Sequence, residues 1–211
     1  MIYLKIIDKI KKICYHYIGD KMIKLEDVLK AIDSNSNIEK EVKENIKELI
    51  VIFNRTFPNI DLSNFAKRIM NLKIEKSNKF INKRVVKYNF KTNILEFNVD
   101  EINKGYDMKH ILMHGILNVI SSNDVQTGFN YNDKFLALNE GYTEILANNI
   151  VGNESEISYL DDEVISTNLI ATMIGNDVLF ESYFNNDTNK LVMALVNEGV
   201  EGYEYNWVNE L

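Results

Sequence analysis

Apolar positions in the first part of the chain recur at helical spacing. Ile2, Leu4, Ile6, Ile7, Ile10, Ile13, Cys14 and Tyr17 predict a first helix, with lysines on its other side and Gly19-Asp20 closing it. A short helix is predicted from Leu25 to Ile32, and the SNSN run at 34–37 breaks it. A longer helix follows from about Ile38 to Phe53, with Val42, Ile46, Leu49, Ile50 and Phe53 on its apolar side. Its wet face carries the acid-before-base pairs Glu39/Lys43 and Glu44/Lys47. Pro58, the single proline, ends this section, and Asp61 or Ser63 caps a short helix through Met70.

From Leu72 the period changes. Phe80, Val85, Val86, Tyr88 and Phe90 suit strands, Lys91-Thr92-Asn93 makes a turn, and Ile94, Phe97 and Val99 continue, predicting a hairpin over 84–99. Helical spacing then returns. Asp107 caps a helix to about Ser121, a polar loop covers 121–133, and a second helix runs to about Ile150. Beyond it come a helix over Glu156–Ile174 ending near Gly175, and two short ones at Asp177–Phe184 and Asn189–Val196. The tail, with Tyr203, Tyr205 and Trp207, reads as an aromatic-anchored terminus. The class is α+β, mostly α, with a small β-hairpin or sheet. An N-terminal helical portion at 1–70 precedes a second portion at 71–211, and the two could form one continuous domain.

Composition narrows this picture. At 45% hydrophobic and 10% aromatic residues, the chain can bury a real core. One cysteine, Cys14, excludes an internal disulfide and any multi-cysteine metal site, and its apolar neighbours predict burial. No run of eighteen apolar residues exists, so no membrane span is expected. The N-terminus mixes lysines into its apolar pattern and lacks a small-residue cleavage site, so the expected location is cytoplasmic.

The net charge of −7 hides an asymmetry. Residues 1–91 hold twenty basic against eleven acidic side chains, and residues 92–211 hold four against twenty. This reads either as a basic face for nucleic acid or an acidic protein, or as two halves that pack and partly neutralise each other. The lysines are spread along helices and outnumber arginine twenty-one to three, whereas base reading favours bidentate arginine. Mutual neutralisation is therefore the expectation.

The candidate chemistry lies between Asp107 and Ile150. His110, His114 and Asn118 stand four residues apart and form one slowly drifting stripe on a helix. The next helix carries Asn139-Glu140-Gly141-Tyr142-Thr143-Glu144. Taken alone, the histidine pair reads as packing, and Asn139-Glu140 as an N-cap with a first-turn acid. Taken together, two histidines one turn apart followed by a glutamate on a later helix is how metallopeptidases hold zinc.

In these segments the chain resembles the gluzincin-type zinc metallopeptidases, which carry HExxH on one helix and NExxxD/E on the next. The downstream element matches. The upstream element is eroded in either register. One begins at His114, with Gly115 where the general-base glutamate belongs and Asn118 where the second histidine belongs. The other takes His110 and His114, with Ile111 in the place of the base. The first is preferred, because Ile111-Leu112-Met113 gives the apolar approach usual before the first histidine.

The resemblance implies a zincin-like domain with a vestigial metal site at His114, Asn118 and Glu140, with Glu144 beside it and His110 a further possible member. It implies that the carboxylate needed to activate a metal-bound water is missing. The expected protein is thus a pseudoenzyme without a resident metal, binding a protein or peptide partner. An edge strand of the 84–99 hairpin bordering the cleft could take an extended peptide. The alternatives are a zinc-dependent peptidase using His110, His114 and Glu140, and a charge-split module for nucleic acid or an acidic protein.

Overall fold

The computed structural model describes residues 22–78 and 84–197. The predicted N-terminal helix, Cys14, Phe80 and the aromatic tail lie outside the described residues. Helix α1 (Leu25–Ser34) buries Val28 and Ile32, and α2 (Lys40–Thr56) buries Ile46, Leu49, Ile50 and Phe53. The break between them is pinned by Asn35. Its Nδ2 donates to Ile69 O at 2.6 Å and Leu72 O at 2.8 Å, and its Oδ1 accepts from Asn37 N. Helix α3 (Ser63–Ile69) starts where Asp61 accepts from Ser63 N at 3.0 Å.

The sheet has three strands in the order β1-β3-β2. Strands β2 (Val86–Asn89) and β3 (Ile94–Asn98) form the predicted hairpin, with Val86 opposite Phe97 and Tyr88 opposite Leu95. Strand β1 (Lys73–Ser77) pairs parallel with β3 and was not predicted. Its KIEKS sequence offers one large apolar residue, Ile74, and no alternation to read. Val99, expected in the hairpin, instead begins the short helix α4 (Val99–Ile102), capped by Asn98.

Helix α5 (Met108–Ile120) is capped by Asp107, whose carboxylate accepts from Lys109 N and His110 N. Helix α6 (Leu136–Val151) follows a looped stretch that ends with Phe135 in the left-handed region, φ 59°. Helix α7 (Asp161–Ile174) starts later than predicted, because Leu160 adopts φ 59° and ends the preceding loop. Helices α8 (Asn176–Asn185) and α9 (Thr188–Asn197) complete the described chain. The architecture is α+β and mostly helical. Among the described residues no helix is long and apolar enough to cross a membrane.

Two glycines set how closely the layers approach. A Cβ on Gly115 would lie 2.9 Å from Leu95 Cδ1 and 3.1 Å from Val86 Cγ2, so α5 sits directly on the sheet. A Cβ on Gly141 would lie 2.3 Å from the Glu163 carbonyl oxygen, so α6 and α7 meet nearly backbone to backbone. Sheet, α5, α6 and α7 thus stack in turn, which explains why every residue from His110 to Ile120 is buried. One apolar cluster runs through the whole stack, from Val28 to Leu195.

Candidate functional site

Contacts between α5 and α6 run in opposite directions along the two helices, which makes the pair antiparallel. His110 Nε2 lies 2.6 Å from Glu144 Oε1, and His114 Nδ1 lies 3.0 Å from Glu144 Oε2. His114 Nε2 faces Glu140 Oε2 at 3.3 Å, and one turn further on Asn118 meets Asn139. All six side chains are buried. The structure therefore brings together His110, His114, Glu140 and Glu144 in one bonded group, with Asn118 beside it.

The electrostatics follow from the bonding. His110 Nδ1 lies 2.6 Å from Gly152 O, an oxygen that can only accept, so that nitrogen carries a proton. Both ring nitrogens of His114 face carboxylates. Burial pulls the His114 pKa down, but the hydrogen bonds and charges of Glu140 and Glu144 outweigh it and raise it to about 9. His110 is raised in the same way, with burial opposed by Glu144. Glu140 and Glu144 are both lowered, because their histidine partners more than offset burial. Tyr159 stands edge-on to the His114 ring at 5.3 Å between centroids, and its hydroxyl accepts from Val85 N.

Glu140 is the link to the outside. It lines a cavity of about 490 Å³ together with Arg84, Lys87, Asn118, Asn130 and Asn139. Strand β2 forms one wall of this cleft and the start of α6 the other. Arg84 Nη1 lies 3.4 Å from Glu140 Oε1, so Glu140 is shared between Arg84 and His114. Glu144 lines a different cavity, of about 400 Å³, with Tyr159 and Asn148. His114 lies between the two with no exposure of its own.

Compared with family models, curated proteins and solved structures, the chain matches none.

Asn139 is not an N-cap, because α6 begins at Leu136 and Asn139 lies within its second turn. Its side chain works across the fold instead. Oδ1 accepts from Phe129 N at 2.9 Å, and Nδ2 donates to Asn118 Oδ1 at 3.3 Å. The backbone donor thereby fixes both amides: Asn118 uses its oxygen on Asn139 and keeps Nδ2 free of any acceptor among the described residues. Among the described residues no three His, Cys, Asp or Glu side chains are arranged to hold a metal ion.

Sequence reasoning missed Arg84, Tyr159 and the Gly152 carbonyl. Arg84 had one legible signal, being one of three arginines in a lysine-rich chain. Its approach to Glu140 spans 56 positions and has no local signature.

Proposed function

We propose that the chain is a catalytically inactive relative of the gluzincin-type metallopeptidases that binds a protein or peptide partner in the cleft between β2 and α6. The order of contacts supports the register that begins at His114. Glu144 takes Nδ1 of that histidine, as a carboxylate behind a zinc-binding imidazole does, and Nε2 is left to face Glu140. The position that follows His114 is Gly115, under Leu95 and Val86, where no carboxylate base fits without moving them. Ile111 in the other register is buried apolar core.

These residues do not fit a zinc ion. His114 and Glu140 are ligand types, but the third position presents the Asn118 amide N–H, a donor where a lone pair is required. That donor is the observation that carries the proposal. It turns an ancestral cation site into one that receives hydrogen-bond acceptors. The test has two arms. Elemental analysis after zinc loading and dialysis should find well under one equivalent, and fluorogenic peptides should remain uncut. Peptide binding should be lost when Lys87→Trp fills the cleft. Stoichiometric zinc that disappears in His114→Ala overturns the proposal.

A further inference from the structure

Two residues with spare donors, Arg84 and Asn118, line the cleft, and the direction of the Asn118 amide is fixed by the fold. Asn118 is 4% exposed, lines the cavity, and has an Nδ2 without an acceptor among the described residues. Its orientation is not a free choice: Phe129 N commits Asn139 Oδ1, Asn139 Nδ2 commits Asn118 Oδ1, and only Nδ2 remains. An amide N–H at the lining of a cavity, with no protein acceptor among the described residues, is open to an acceptor on a bound ligand.

Arg84 supplies the second donor. Its side chain is 13% exposed, yet among the described residues the guanidinium makes one contact, through Nη1 to Glu140 at 3.4 Å. A guanidinium carries five N–H groups in a planar fork, so most of its capacity is unused among the described residues. Glu140 does not compensate it fully, because its other oxygen is held by His114. Both donors are anchored on consecutive residues of α6, Asn118 through Asn139 and Arg84 through Glu140. Both residues also line the same cavity.

We infer that the cleft clamps a carboxylate of its peptide ligand between the Arg84 guanidinium and the Asn118 Nδ2 amide. A carboxylate offers two oxygens and matches one charged fork and one neutral N–H better than a lone carbonyl does. The lining also carries Lys87 and Lys91 together with Glu96 and Asp133, two charges of each sign, so the preference is assigned to Arg84 and Asn118. The volume of about 490 Å³ suits a short peptide segment. The carboxylate could belong to a chain terminus or to an Asp or Glu side chain. The inference rests on the cleft being the peptide-binding surface proposed above.

The experiment uses fluorescence polarisation on the full chain with three labelled pentapeptide pools. One has neutral side chains and a free C-terminus, one has neutral side chains and a C-terminal amide, and one is amidated with a single Asp or Glu. At least one carboxylate-bearing pool should bind about tenfold or more tighter than the neutral amidated pool, and which one identifies the source. Asn118→Asp should abolish that preference. It keeps an oxygen for Asn139 Nδ2 but turns an oxygen, not an N–H, toward the ligand. Arg84→Gln should also abolish it while still donating to Glu140, and it serves if Asn118→Asp does not fold. Equal binding of all pools, lost in Lys87→Trp, overturns the carboxylate clamp and leaves the cleft reading intact. Failure of every pool to bind overturns both.

Discussion

Glu144 Oε2 lies 3.0 Å from His114 Nδ1, on the opposite side of the ring from Glu140. The same carboxylate holds His110 Nε2 through its other oxygen, so a single side chain fastens two turns of α5 to α6. Removing it leaves two buried imidazoles without their acceptor. Glu144→Ala should therefore destabilise the protein by about 3–5 kcal/mol, the range for breaking a buried pair from one side. Glu144→Gln, which keeps one acceptor oxygen, should cost less. Urea denaturation of the three proteins measures this, and equal midpoints would show that the pair contributes nothing.

The same group sets a pH window. His114 is raised from 6.5 to about 9, so its contribution is fully present below pH 6.5 and is lost as pH climbs through about 9. His110 is raised and acts in the same direction. Glu140 and Glu144 are lowered from 4.5, so their contributions are present above pH 4.5 and are lost as pH falls through their folded values. From these four groups, stability should be greatest between pH 4.5 and 6.5 and should fall on both sides. Denaturation midpoints from pH 3 to 10 check it. A midpoint that rises from pH 6.5 to 9 would mean that His114 enters the network neutral.

Gly141 packs where α6 crosses α7. A Cβ there would meet the Glu163 carbonyl oxygen at 2.3 Å and Thr167 Oγ1 at 2.4 Å. Backbone cannot step aside as a side-chain tip can, so Gly141→Ala should force the helices apart. The expected cost is about 3 kcal/mol, the upper end for overpacking. An unchanged unfolding midpoint would contradict the closeness of this crossing.

Zinc affinity should be recoverable at one position. Asn118→His replaces the amide donor by a ligand-type nitrogen beside His114 and Glu140. This variant should bind zinc by titration, and the further change Glu140→Ala should abolish the gain. Adding Gly115→Glu should lower stability, because the new side chain must displace Leu95 and Val86. Ile111→Glu, which tests the other register, should bring no zinc and should destabilise the core, since Ile111 is 1% exposed. Zinc bound by the Ile111 variant alone would move the site to His110 and His114.

The sequence by itself determined the described helices other than the short α4, and the hairpin that precedes it. Those signals are local: the apolar period around Ile46, Leu49, Ile50 and Phe53, the Asp107 cap, and the Lys91-Thr92-Asn93 turn all act within a few residues. It also named His110, His114 and Asn118, because helical spacing puts them on one stripe, and Glu140 and Glu144 through the resemblance of residues 139–144 to the gluzincin element. Tertiary structure decided the rest. It decided that Glu144, not Glu140, serves both histidines, since that depends on how far the antiparallel helices are slid past each other. It recruited β1, whose polar KIEKS stretch becomes a strand only because β3 offers it a parallel edge. And it decided that Asn118 presents a donor to the cleft, a direction set by the backbone N–H of Phe129 acting through Asn139. A hydrogen bond passed across three segments of chain leaves no period, cap or spacing to be read in advance.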